Sequence, residues 1–271
     1  DTIFVKYFGG FIMKYIKLCH VYEDLEENSS RLKKTEILSD FFNDLKDSDE
    51  PEIIYLILGK VFPDFDQREF GVSEKLCIKA LAKASGFNES VIIDHWKELG
   101  DLGLVAKEVI HKKSQNTLFS KDLTTKLVID NLKKLPLQEG VGAVDKKLGL
   151  ISELLTSSKP LEAKFLIRTV LSDLRIGVSN GTIRDAVTKA CLEKTKENLE
   201  AVQSAYDKTT DWRVVFKKAS LGLSSLQKIE LSPGKPLKVM LYQKESSIKK
   251  GFERVGSPAL IDYKYDGFRM M

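Results

Sequence analysis

The chain has 271 residues, enough for one large domain or two ordinary ones with real cores. Its 43 Lys and Arg against 39 Asp and Glu leave a net charge of +4, which permits nucleic-acid binding without demanding it. Three widely spaced cysteines, Cys19, Cys77 and Cys191, point to neither a disulfide framework nor a zinc knuckle, and no run approaches the ~20 apolar residues of a membrane span.

The opening, Asp1 to Ile12, is apolar but lacks a cleavage-site pattern of small residues. It reads as an upstream tail at residues 1–12, translated upstream sequence or disordered, and a cytoplasmic protein is expected. The aromatic run Tyr7-Phe8-Gly9-Gly10-Phe11 within it suggests a sliding-clamp contact only weakly, because such short runs are common. His20, His95 and His111 show no metal-ligand spacing, and no residue is assigned to a metal.

From there the dominant period is helical. Ser73 is placed to cap a helix carrying Lys75 and Lys79, after a loop from Lys60 to Gly71. Leu102, Val105, Ala106, Val109 and Ile110 line one helix face, with Asp101 as N-cap after a stop at Gly100. The following His111-Lys112-Lys113-Ser114-Gln115 reads as an exposed cationic turn. Leu123 and Val128 flank Thr124 as a hydrophobic staple flanks an N-cap. Pro160 suits the first turn of a helix with Phe165, Leu166, Thr169 and Val170 facing inward, and Ser179 suits the cap of a helix carrying Ile183, Val187, Ala190 and Cys191.

Between these last two helices lies Leu174-Arg175-Ile176-Gly177-Val178-Ser179-Asn180-Gly181. Its glycines permit close backbone approach, and the helix N-terminus after it offers free N–H groups and a positive dipole end, so a phosphate fits there. Arg175 and Arg184 are placed to add charge-assisted bonds, with Arg168 on the preceding helix. Plain helix punctuation is the competing reading. Lysine pairs such as Lys133-Lys134 and Lys217-Lys218 read as solvated faces.

Ser232-Pro233-Gly234-Lys235-Pro236 breaks the helical pattern and reads as a linker at residues 232–236. Beyond it, Ser246 to Val255 suits a helix and Ala259 to Tyr263 a short strand. That strand would lead into Lys264-Tyr265-Asp266-Gly267-Phe268-Arg269, which reads Lys-x-Asp-Gly-x-Arg, the signature of enzymes that carry a nucleotide on a lysine. The attack needs a neutral amine, so burial or nearby cations must lower a pKa of ~10.4. Gly267 would let the backbone turn tightly, and Arg269 would offer a planar fork to phosphate or ribose oxygens. A surface hairpin at Asp266-Gly267 is the alternative.

Several ordered segments outweigh one short motif. Leu56-Ile57-Leu58-Gly59-Lys60-Val61-Phe62-Pro63, Gly71-Val72-Ser73-Glu74-Lys75, Gly100-Asp101-Leu102-Gly103, Arg168-Thr169-Val170-Leu171 and Leu174-Arg175-Ile176-Gly177-Val178 precede the lysine motif. With it they resemble the ATP-dependent DNA ligases of the archaeal and eukaryotic replicative type, from about Met13 to Met271. Met13-Lys14-Tyr15 resembles the start of such proteins.

The resemblance implies a mainly α protein: a multi-helix DNA-binding domain at residues 13–231, then at 237–271 the truncated, short α+β beginning of a nucleotidyltransferase (adenylation) domain. It implies that Lys264 is adenylated from ATP, with Mg²⁺, and that Arg269 binds the adenylate. Where the family usually has the glutamate that recognises adenine, this chain has Asp262. The helical domain would grip nicked or duplex DNA through phosphates, at Arg168, Arg175, Gly177 and Arg184, at Lys75, and at Lys112 and Lys113. Because the remaining nucleotide-pocket motifs follow the lysine in that family, the expectation is a monomer that binds DNA weakly and does not seal nicks. A stand-alone ligase-derived DNA-binding module and an all-α protein-interaction scaffold are the alternatives.

Overall fold

A computed structural model describes residues 4–7, 10–46, 48, 50–113, 122–238, 244–263 and 267, with side chains from residue 12 onward. Two short strands open it, β1 (Phe4–Tyr7) antiparallel to β2 (Gly10–Met13), with Val5 opposite Ile12. Among residues 1–12, those described are thus paired backbone, while residues 1–3, 8 and 9 lie outside the described residues. The last residue of β2 is pinned to the helices, because the Met13 N–H donates to Glu50 Oε2 at 3.0 Å and Thr125 Oγ1 donates to the Met13 carbonyl.

Helices follow: α1 (Tyr15–Glu27), α2 (Arg31–Leu45), α3 (Ile53–Leu56), α4 (Glu74–Ser85), α5 (Glu89–Leu99), α6 (Leu102–His111) and α7 (Thr125–Lys134). Then come α8 (Ala143–Ser157), α9 (Pro160–Val170), α10 (Asn180–Cys191), α11 (Lys196–Thr209), α12 (Trp212–Ser220) and α13 (Leu223–Gln227). Their starts are local chemistry. The side chains of Ser73, Asp101 and Thr124 each accept a bond from a first-turn N–H, as expected of them. Ser179 precedes α10 but does not cap it with its side chain, and its Oγ lies 3.3 Å from Thr182 Oγ1 instead.

At the centre is α9, whose residues 161–170 are all buried. The periodicity implied one inward face, whereas α6 packs along one side of this helix and α1 and α8 cover others. A helix enclosed all round must bury its polar residues too. Lys164 Nζ meets Glu26 at 2.6 Å, and Arg168 bridges Glu26 at 3.0 Å and Asp101 at 2.6 Å. Close contact between α6 and α9 depends on Gly103, where a Cβ would come within 2.7 Å of Arg168 Cγ and 2.9 Å of the Lys164 carbonyl. Elsewhere α10 packs on α2, and Tyr206 of α11 stacks on Trp212 of α12 with centroids 4.2 Å apart.

The chain divides into two compact units, Asp1–Lys238 and Val239–Met271. The boundary lies beyond the linker expected at 232–236, since that segment is strapped to the first unit. Lys235 Nζ sits 5.5 Å from the Phe65 ring centroid, Lys238 Nζ 4.7 Å from that of Tyr206, and the Lys238 N–H donates to the Asp207 carbonyl. The second unit contains α14 (Ile248–Val255), capped by Ser247, as expected for 246–255. The strand expected at 259–263 does not form. A strand needs a ladder partner, and the described residues of this unit supply none.

Candidate nucleic-acid interface

After α9 the backbone enters the left-handed region at Ser172 (φ 56°), Arg175 (φ 57°) and Gly177 (φ 62°). Leu174 and Ile176 are buried while Arg175 and Gly177 are exposed, so alternate residues anchor the turn and present it. Two carboxylates hold the Arg175 guanidinium: Nε donates to Asp173 Oδ2 at 2.6 Å and Nη1 to Asp101 Oδ2 at 3.2 Å. Its Nη2 has no partner among the described residues, and 46% of the side chain is exposed. Asp101 therefore does three things at once. It caps α6 through the Gly103 and Leu104 N–H groups, pairs with Arg168, and holds Arg175. Burial pushes its pKa up, but the Arg168 hydrogen bond and charge, the Gly103 N–H and the Arg175 charge outweigh that and hold the carboxyl below its ordinary value.

Arg168 corrects one expectation. Only 4% of its side chain is exposed, and Nε, Nη1 and Nη2 are directed to Asp101 and Glu26, so it supports the turn from below and does not face solvent. Arg184 is half-buried; Nε and Nη2 bond Asp185 Oδ1, and Nη1 donates to Gln203. Two cations absent from the sequence-level candidates also reach this turn, both from α2. Arg31, 60% exposed, donates to Asp185 Oδ2 at 2.8 Å, with its Nη2 3.3 Å from where a Cβ on Gly181 would sit. Lys34 is buried and donates to the carbonyls of Ile176 at 2.5 Å and Gly177 at 3.4 Å. A sequence signal existed: Arg31, Lys33 and Lys34 occupy a first helical turn with no acid in it, where the helix dipole disfavours cations.

The structure joins two of the three candidate contacts. A hollow of about 420 Å³ is lined by Ser73, Glu74, Asp101, Asp173 and Arg175, and one of about 740 Å³ runs between the 59–72 loop and Val170–Ser172. Lys75, exposed at the start of α4, directly follows two of the residues that line the first hollow. Within the loop, Lys60 pairs with Asp64 and Arg68 with Asp66. The third candidate is separate. Lys112 and Lys113 follow the far end of α6, a 10-residue helix spanning ~15 Å. Lys112 is exposed, while Lys113 donates to the Thr156 carbonyl at 2.9 Å.

Lys264 and Arg269 lie outside the described residues. Asp262 is exposed and accepts from the Tyr263 N–H at 2.8 Å, and Gly267 has open space where a Cβ would stand. Among the described residues no group of His, Cys, Asp and Glu is disposed to hold a metal ion, and no helix is long and apolar enough to cross a membrane.

Helices enclosing a charged central helix, with the partly exposed Arg175 guanidinium on the turn that follows it, define a mainly α unit. The family described as DNA ligase N terminus matches residues 14–188, and the chain belongs to that family. It is 40% identical over 259 residues to a DNA ligase of Thermococcus fumicolans, 38% over 257 to one of Methanothermobacter thermautotrophicus, and 36% over 259 to one of Nanoarchaeum equitans. These alignments cover 95, 94 and 95% of this chain but 46, 45 and 45% of those proteins, so the chain spans about half the length of the relatives it matches.

Proposed function

We propose that this chain is the DNA-gripping N-terminal part of an ATP-dependent DNA ligase, together with the first segment of its nucleotide-binding domain. The helical unit binds nicked duplex DNA as a monomer, through phosphates and without base reading. Supporting this most directly is the Arg175 turn, where Asp101 and Asp173 fix a half-exposed guanidinium whose Nη2 has no partner among the described residues. Gly177, Arg184 and Lys75 extend the same contact, Lys112 and Lys113 form a separate one, and Arg168 acts from beneath.

In the whole ligase, Lys264 attacks the α-phosphorus of ATP and pyrophosphate departs. AMP passes from the lysine to the 5′-phosphate at the nick, and the 3′-hydroxyl then attacks that phosphate and releases AMP. Asp262, Gly267 and Arg269 serve the nucleotide. The Mg²⁺ implied by the resemblance has no fitting ligand group among the described residues, and this reading rests on no metal step. A sliding clamp is a weaker partner proposal, resting only on the Tyr7 to Phe11 run.

Titration of a labelled nicked duplex against the chain over a range of salt tests the grip. Affinity should fall linearly on a log–log plot, and Arg175→Ala should weaken binding about tenfold and reduce the slope by about one. No binding even at low salt would favour a protein-interaction scaffold. Incubation with labelled ATP and Mg²⁺, followed by denaturing electrophoresis, should show no adenylate on this polypeptide; substantial label on Lys264 would show that it needs no further chain for that step.

A further inference from the structure

From the packing beneath the Arg175 turn we infer that Lys34 is a positioning residue for a DNA phosphate, a buried positive charge acting through two peptide groups of the turn. The inference rests on the DNA-binding reading above and adds to it a residue and a mode of recognition.

Lys34 differs from the other buried cations. Lys164 and Arg168 are matched by Glu26 and Asp101, whereas Lys34, 8% exposed, forms no ion pair among the described residues. Among the described residues its ammonium meets only the carbonyls of Ile176 and Gly177. A buried charge without a counter-ion is costly, more so in the first turn of α2, where the dipole opposes it and no acid offsets it. Such a charge is retained at less cost if an anion is brought close in the working state.

The peptide geometry says where. In a planar trans peptide the N–H points opposite to the C=O. Carbonyls 176 and 177 face Lys34, so the N–H groups of Gly177 and Val178, which share those peptide planes, face away from it. Neither makes a hydrogen bond among the described residues, and Gly177 is exposed. Gly177, whose Cα joins the two peptides, is left-handed, a conformation found in the backbone nests that bind anions. A cation on the two carbonyls strengthens the outward N–H donors by polarising each peptide. A Cβ at Gly177 would meet Lys34 Nζ, so a side chain there would have to displace the ammonium, and the positive φ favours glycine as well. The ligand is a backbone phosphodiester, held by the Gly177 and Val178 N–H groups with Arg175 beside it.

The test measures nicked-duplex affinity over a salt series for the full chain and for Lys34→Gln, Lys34→Met and, as a neighbouring control, the exposed Lys33→Gln. Gln keeps donors for the carbonyls and loses only the charge. Both Lys34 variants should bind about tenfold more weakly, with a shallower salt dependence, while Lys33→Gln changes affinity less than about twofold. Lys34→Gln with the affinity and slope of the unsubstituted chain would reduce Lys34 to a structural hydrogen-bond donor. Independently of any variant that fails to fold, the amide resonances of Gly177 and Val178 in the unsubstituted chain should shift on adding duplex. If they stay still while Arg175→Ala weakens binding, the Lys34 inference fails and the DNA-binding reading stands; if Arg175→Ala is also without effect, it is the reading of the turn that fails.

Discussion

Residues 13–238 and the described part of residues 239–271 treat apolar side chains in opposite ways. In the first, Tyr15, Tyr22, Phe42 and Phe165 are at 0% exposure, and even the cations Lys164 and Arg168 of α9 are enclosed and matched. In the second, α14 sets Ile248, Phe252 and Val255 on one face at i, i+4 and i+7 yet leaves them 81, 41 and 69% exposed, and none of its residues is buried. An apolar stripe with a good cap therefore specifies a helix, but only a second element closing over the stripe turns it into stability.

The comparison breaks or sharpens at specific residues. Arg168→Ala would strand Asp101 and Glu26 without their shared partner, so urea titration should show a loss of about 3–5 kcal/mol. Phe252→Ala in α14 should leave the same transition within about 0.5 kcal/mol, and a loss matching that of Arg168→Ala would erase the contrast.

Glu162 gives a pH-dependent case. Its carboxylate accepts from the Lys159 N–H at 2.7 Å, but burial pushes its pKa up to about 7. A raised carboxyl pKa contributes stability that is full below the unfolded-state value of ~4.3 and is lost as pH rises through the folded value. Glu162→Gln keeps an acceptor for Lys159 without that loss, so from about pH 5 to about pH 8 it should gain on the unsubstituted chain by on the order of 1–3 kcal/mol. Asp101 and Glu26 run the other way: both are held below the ordinary range, and their contribution is lost as pH falls through the folded values.

Smaller effects test the packing and the boundary. Gly103→Ala pushes a methyl into Arg168 and the Lys164 carbonyl and should cost about 1–3 kcal/mol in urea titration. Ending the chain at residue 231 instead of 238 removes the Lys235–Phe65 and Lys238–Tyr206 contacts and should cost about 1 kcal/mol, read as a lower thermal midpoint. Equal midpoints would make 232–238 a passive linker after all.

What was legible in the sequence was local. Asp101 as a cap, Leu123 and Val128 around Thr124, and Pro160 at a helix start depend on residues within about a turn of one another, and the structure has each of them in place. The Leu174 to Gly181 turn was legible too, because its glycines and following helix mark a break. Less legible was what lies under it. Arg168 and Arg175 look alike in the sequence, yet one, on α9, is enclosed against Glu26 of α1 and the Asp101 cap of α6 while the other reaches solvent. Lys34 lies 142 residues from its nearer carbonyl, and no short-range pattern connects them.

By itself, then, the sequence determined where several helices start, among them α4, α6, α7 and α9, which stripes on them are apolar, and, through its ordered motifs, the ligase family. Tertiary structure alone decided which cations are structural and which remain available, that residues 232–238 belong with the helices, and that Asp101 serves α6, Arg168 and Arg175 together. The reason is physical. Capping and periodicity are set within a few residues, whereas the state of a charge depends on burial and on partners that only the packed chain brings within reach.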